Sequence, residues 1–410
     1  MKLAQSNISR AALFMVLLVC GLLQLKIALF EQSKFSRPRP HSTLWQQQIS
    51  PEYLTAAAQD TALSQGRSDR VLRLLQRALT LNPLYIPAWI TLSELELSLG
   101  KRSDAGKILT YIDGLMVDVS FWRWRKTMLA YQFGEREMLA RDLDYVVAEL
   151  PQHRQQALDL AASLWPDAET RLEKIGAHNL LHLFRFSLHP ERLESALIYW
   201  PGVRDSRELE LRYKLRFIEL LRHQGDLQRA YGIWQEVLPT DTILYNGNFS
   251  TSPLQTAFGW RIGKAAGSSW ELSAKTKNEN SAFHLNFTGL ENVNYHHLVQ
   301  YFIPVTNKPA ENSGTAYTLT GEVGCAGLTT DQRPYFEVVG VNARQLRART
   351  PMFAAAQTPT RFSLKFIVPP GCQQVYVRLQ RNKSNDINCR IAGDIWISNL
   401  KISADGLMND

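Results

Sequence analysis

Hydrophobic and polar positions change rhythm twice along the chain. Residues Ala11–Leu23 are apolar or glycine throughout, and after Gln24 and Lys26 the run closes with Ile27–Phe30. Twenty residues in a helix reach about 30 Å, the thickness of a bilayer core, which predicts a membrane span over 11–30. From Ser50 to Leu238 the chain is rich in Ala, Leu, Arg and Glu and lacks two-residue alternation, so this stretch reads as all-helical. From Leu244 onward short runs place an apolar residue at every second position. They are Phe283–Phe287, Tyr317–Val323, Phe362–Phe366, Val375–Leu379 and Ile395–Leu400, separated by Gly, Pro, Asn and Ser. Such runs predict half-buried antiparallel strands in a two-sheet sandwich. An opening strand over Leu244–Phe249 is expected beside the last one, which ends at Ile402, since domain termini tend to lie close together. The reading is multidomain α plus β: an anchor over 1–31, a tether over 32–49, helical repeats over 50–240, an antiparallel β-sandwich over 241–403 and a tail over 404–410.

The helical stretch repeats itself. Gly66, Gly100 and Gly134 are spaced by 34 residues, Ala105 follows the second, and Asn82-Pro83 closes the unit that Gly66 opens. Trp89 follows Pro83, and the same register returns as Gly225, Ala230, Trp234 and Pro239. These are tetratricopeptide-like positions. Glycine permits a left-handed turn between antiparallel helices, a small residue lets the backbones approach, and proline ends the second helix. Each pair buries its apolar stripe only against neighbouring pairs, which predicts a right-handed α-solenoid with Trp89 in its inter-helix core. Between 140 and 210 the match is poor, and Pro151, Pro166, Pro190 and Pro201 punctuate helices of uneven length.

Charge adds to the case for an anchor. The chain of 410 residues carries a formal net charge of +8, and residues 1–40 hold 6 basic residues against 1 acidic. The largest excess therefore flanks an apolar run, whereas a nucleic-acid binder gathers it on a folded domain. A cleaved signal peptide is the rival reading of 11–30, but no Ala-x-Ala pair follows the apolar run. Lys2 and Arg10 before it nearly balance Lys34, Arg37 and Arg39 after it, so charge leaves the orientation open. Cys20 lies in the apolar run, and Cys325, Cys372 and Cys389 allow one bridge or three free thiols. Their spacing forms no metal-binding motif, and no metal or cofactor is expected.

The order Asn246–Phe249, Phe258-Gly-Trp260, a strand around Gln300 ending at Pro304, then Tyr317, resembles the jelly roll of galactose-binding and carbohydrate-binding modules. Leu328–Asp331, Val368–Gly371, Arg378-x-x-Arg381 and Ile391–Trp396 narrow the resemblance. They are similar to bacterial membrane-anchored tetratricopeptide proteins encoded with exopolysaccharide synthesis and export genes. The resemblance implies a single-pass inner-membrane protein with its folded part in the periplasm. It also implies a protein partner on the repeats and a polysaccharide or envelope protein on the sandwich.

Sugar-binding sandwiches hold a ring against an aromatic face and its hydroxyls with polar groups. On that chemistry the candidate contacts are Trp260, Trp270, Tyr295, His296, His297 and Tyr301, with Arg378 and Arg381 as donors. Core packing is the competing reading for Trp260. Trp396 is out of phase with Ile395 and Ile397 and so could face outward from its sheet. Tyr295-His296-His297 follows the Asn-rich stretch 292–294 and reads as a loop cluster. Three arginines within Arg344–Arg349 could touch an anionic polymer or simply be solvated. No paired-carboxylate motif, nucleophile elbow or phosphate loop appears, so a non-catalytic scaffold is expected. The alternatives are an accessory glycan-processing enzyme and a sandwich that docks only protein.

Residues 11–30 are expected to be retained as a single span with the C-terminus exported. Amino-terminal sequencing of membrane-extracted protein and a C-terminal reporter active only after export check this. A mature start beyond residue 25, or a silent reporter, contradicts it.

Overall fold

The computed structural model describes residues 50–65, 69–116, 119–273, 281–304, 314–354 and 359–404. The predicted span over 11–30 and Gly66 lie outside them. Among the described residues no helix is long and apolar enough to cross a membrane. Helices occupy the first part and two antiparallel sheets the second, and no described strand precedes Arg261. The chain divides into two compact units at Asn179/Leu180, and each is taken in turn.

The first unit contains α1 (Pro51–Gln65), α2 (Asp69–Leu81), α3 (Ile86–Ser98), α4 (Arg102–Leu115), α5 (Arg123–Phe133), α6 (Arg136–Glu149), α7 (Pro151–Leu164) and α8 (Ala168–Ile175). Consecutive helices pack as pairs, α1 on α2, α3 on α4 and α5 on α6. Gly100 and Gly134 make the turns within the second and third pairs at φ +78° and +74°, the left-handed conformation that their spacing predicts. Ala105 is fully buried, and the Ser93 hydroxyl on α3 reaches its carbonyl at 2.9 Å, which measures how closely α3 and α4 approach. Trp89 is half-buried and packs against two clusters, one around Leu75 and Ala88 and the other around Ile90 and Leu109. Its indole N–H donates to the Pro83 carbonyl at 2.7 Å. The repeat-signature Trp thus joins successive pairs while keeping one edge in solvent.

A charged network lies inside the third pair. Lys126 on α5 and Asp142 on α6 have fully buried side chains 2.8 Å apart, and Arg123 reaches the same carboxylate at 3.3 Å. Burial raises the Asp142 carboxyl although Lys126 and Arg123 oppose it. A carboxylate in this position persists only because two cations face it.

The second unit opens with α9 (Leu180–Phe186), α10 (Leu193–Val203), α11 (Leu211–His223) and α12 (Leu227–Val237). Gly225 turns α11 into α12 at φ +86°, and Ala230 on α12 is fully buried. The strands are β1 (Arg261–Ile262), β2 (Ser268–Ser273), β3 (Ala282–Thr288), β4 (Tyr295–Phe302), β5 (Thr315–Ala326), β6 (Tyr335–Gly340), β7 (Arg347–Arg349), β8 (Thr360–Val368), β9 (Val375–Arg381) and β10 (Ala392–Ala404). One sheet has the order β1-β4-β9-β6-β7 and the other β2-β3-β10-β5-β8. All five alternating runs found in the sequence are strands. Their inward residues, among them Phe283, Leu285, Tyr317, Val377, Ile395 and Ile397, form one continuous core.

The expected opening strand is corrected. Leu244–Phe249 is a series of turns, with Asn246 and Phe249 at φ near +50°, a conformation incompatible with a strand ladder. Its predicted neighbour is nevertheless right, because the Leu400 amide donates to the Gly247 carbonyl at 2.9 Å. A Cβ on Gly247 would stand 1.9 Å from the Leu400 carbonyl oxygen, so only glycine allows the approach. Gln300 fastens the same segment from inside by donating to the carbonyls of Phe258 and Tyr245 at 2.6 and 3.2 Å.

Helix α11 is tied to the sandwich through Glu219. Its carboxylate accepts from the Ala257 amide at 2.9 Å, from Arg261 at 2.8 Å and from Arg222 at 2.9 Å. Burial alone would raise this carboxyl, but Arg222 and Arg261 outweigh it and hold it at about 2. A group depressed on folding stabilises fully above its unfolded value, and that contribution is lost as pH falls through the folded one. Thermal unfolding followed by circular dichroism is expected to show a midpoint falling between pH 4.5 and 2. Glu219→Gln should lower the midpoint at neutral pH and flatten its decline in that acidic window.

Candidate functional site

Alternation along β10 turns Ile395 and Ile397 into the core and leaves Asp394 and Trp396 on the outer face of the second sheet. In register, Trp396 lies between His284 on β3 and Gly324 on β5. The His284 ring stacks on the indole with centroids 4.8 Å apart and planes 3° from parallel. Its Nε2 lies 2.8 Å from an Asp394 oxygen and its Nδ1 lies 3.0 Å from a Glu271 oxygen. Asn286 donates to the same Asp394 oxygen at 2.8 Å.

The other flank of Trp396 differs. Gly324 presents no side chain to the indole, and the nearest group to its missing Cβ is Pro359 at 3.7 Å. Beyond it Glu322 accepts from Arg361 at 3.2 Å and from Asn399 at 3.1 Å. The face therefore offers an aromatic surface stacked on one side, unfilled by its cross-strand neighbour on the other, and bordered by polar groups held in place. Such a surface can take the C–H face of a sugar ring while Asp394, Glu271 and Asn286 meet hydroxyls.

Apart from Trp270, on β2 of the second sheet, the residues proposed from sequence lie on or beside the first sheet. Trp260 is fully buried, tilted against Phe249 at 5.3 Å, with its N–H on the Asn246 carbonyl at 3.2 Å. Tyr295 is also fully buried, and burial pushes its phenol up. Core packing thus accounts for both, and neither presents a surface to a ligand. The Tyr295–His297 segment is the start of β4, not a loop: only 292–294 remain outside the strand. His296 is exposed and stacks on half-buried His297 at 4.4 Å, and burial together with His296 lowers the His297 pKa. Tyr301 is half-buried beneath the guanidiniums of Arg222 and Arg261, 5.1 and 5.6 Å from its ring.

The two arginines differ in role. Arg378 binds the buried Glu337 carboxylate through Nε at 2.9 Å. Arg381 is fully buried and joins three loops. It donates to the carbonyls of Gln332 (3.0 Å), Val293 and Cys389 (3.3 Å), and to Asn292 Oδ1 (3.1 Å). Its donors are spent on the fold, which removes it from ligand contact. Trp270 packs on Phe283 with centroids 6.0 Å apart. Sequence reasoning noticed the outward phase of Trp396 but missed His284, Asn286 and Asp394. The alternation His284-x-Asn286 within an otherwise apolar run was the available signal. Among the described residues no three His, Cys, Asp or Glu side chains form a metal-holding group.

No family model matches the chain. No curated protein does either. Among solved structures, the enzymatically active domain of bacteriophage CBA120 tailspike protein 4 is 15% identical, covering 40% of this chain but only 21% of its own, with a TM-score of 0.27. TmCBM61, solved with β-1,4-galactotriose, is 9% identical over 40% of this chain and 100% of its own, at 0.28. MamA from Desulfovibrio magneticus RS-1 is 16% identical over 46% and 93%, at 0.26. At these scores the likenesses add nothing to the elements described above.

Arg381→Ala is expected to destabilise the protein by about 3 kcal/mol or more, because several buried acceptors lose their donor together. Urea unfolding measures this; a change below about 1 kcal/mol, the net worth of one ordinary hydrogen bond, contradicts the structural role.

Proposed function

We propose that the chain is a non-catalytic binding scaffold of the cell envelope. Its helical pairs dock a protein partner, and its sandwich holds a polysaccharide on the outer face of the second sheet. Support comes from the Trp396 indole, stacked by His284 on one side and facing Gly324 on the other. In this reading residues 11–30 fix the protein in the inner membrane and the folded part works in the periplasm, in exopolysaccharide production. The apolar run and the sequence resemblance motivate that placement. A single ring stacked on one indole contributes about 1 kcal/mol beyond area burial. Water competes for every hydroxyl contact, so individual sites are weak and many anchored copies grip one polymer together.

Detergent-solubilised full-length protein on a glycan array, with hydrolysis of the bound polymers assayed in parallel, tests the proposal. Trp396→Ala should weaken binding at least tenfold, Trp396→Phe should retain part of it, and no turnover should occur. Binding unchanged in Trp396→Ala removes this face as the site. Hydrolysis by the wild type would favour the accessory-enzyme reading, with Asp394 and Glu271 as its carboxylates.

A further inference from the structure

We infer that the outer face of the first sheet, across the shared core from Trp396, is a second binding surface whose ligand is a carboxylate-bearing acidic polysaccharide. Glu337 on β6 is paired in register with Arg378 on β9 and Arg349 on β7, so three charged side chains stand in a row across adjacent strands. The Glu337 carboxylate is 2% exposed, yet it accepts from two guanidiniums: Arg378 at 2.6 and 2.9 Å and Arg347 at 2.6 Å. One buried anion thus positions two cations and leaves a positive charge uncompensated. The Arg347 side chain is 66% exposed, so it is held at Nε with its terminal nitrogens free for another acceptor. Arg344 and Arg349 are also exposed, and among the described residues neither has an acidic partner.

The chemistry of the row selects its ligand. Guanidinium forks match planar carboxylates bidentately, and a fork already fixed through Nε loses little freedom on binding. Beside the row the Arg378 guanidinium lies 5.3 Å over the Tyr376 ring, and Tyr376 neighbours Tyr301 at 5.7 Å. Tyr301 is itself covered by Arg222 and Arg261, so half-buried Tyr376 supplies the aromatic edge on which a pyranose ring packs and which a simple anion does not need. Arg378 and Arg349 lie two strands apart, about 9.6 Å. The separation suits acid groups spread along an extended sugar chain better than one compact phosphate. This surface shares no residue with the Trp396 face, so either can exist without the other.

The test uses the detergent-solubilised full chain and polygalacturonate, with neutral galactan, poly-glutamate and a single-stranded oligonucleotide as comparators. Polygalacturonate should bind, weaken with added salt, and be insensitive to Trp396→Ala. The combined Arg344→Ala, Arg347→Ala, Arg349→Ala variant should lose at least tenfold in affinity while circular dichroism still reports a folded sandwich, and the Arg344→Ala, Arg349→Ala variant, which leaves both partners of Glu337 in place, should lose part of the affinity with its unfolding midpoint unchanged. The inference is overturned if polygalacturonate does not bind, or if the triple arginine variant binds as well as wild type. Loss through Trp396→Ala alone would move the ligand to the other sheet. Equal affinity for poly-glutamate or the oligonucleotide would reduce the face to a general anion surface and likewise overturn it.

Discussion

Successive side chains on a strand face opposite sides of the sheet, and in this sandwich that constraint decides which chemistry reaches solvent. Ile395 and Ile397 enter the core, so Asp394 and Trp396 must leave it; Phe283 and Leu285 do the same for His284 and Asn286. A slip of one residue in β10 would bury a carboxylate and expose two isoleucines. The strand also corrects its own phase. A register irregularity between Ser398 and Lys401, with Asn399 at positive φ, inserts one extra residue, so that Leu400 and Ile402 return to the core. Without it the far half of β10 would present its apolar side to water and lose the contact between Leu400 and Gly247.

Local rhythm was therefore legible and long-range partnership was not. The spacing of Gly100 and Gly134 and the five alternating runs report conformations a residue adopts largely by itself. The Tyr295 segment misled because three Asn-rich positions before it suggested a loop, while its own register against Arg381 was set by a strand far along the chain. The same limit hid the candidate site: His284 and Asp394 are 110 residues apart, and nothing near either announces the other. Arg381 looked like a ligand donor because a sequence shows a charge but not the carbonyls that surround it.

Buried ionic groups recur in both units with a common logic. Asp142, Glu219 and Glu337 are all buried, and each is faced by at least two basic side chains, Glu219 by Arg222, Arg261 and His223. Replacing such groups with apolar ones can be neutral for stability, so their value lies in fixing one arrangement among several of similar energy. In the first unit that arrangement is the crossing of α5 on α6. In the second it is the seating of α11 and the alignment of two arginines on an open sheet.

The seating of α11 bears on how the sandwich can be isolated. Cutting where the sequence changes from helical to alternating rhythm, near residue 241, would leave Arg261 without its carboxylate and the Ala257 amide without its acceptor. The rings of Tyr231 and Trp234 that cover Phe258 would go with the discarded helices. A recombinant fragment begun there would expose a ready-made apolar scar and a stray cation, both of which favour self-association and false retention on charged matrices. Starting at Leu180 keeps the seam closed, and it makes the four helices part of the module's solubility.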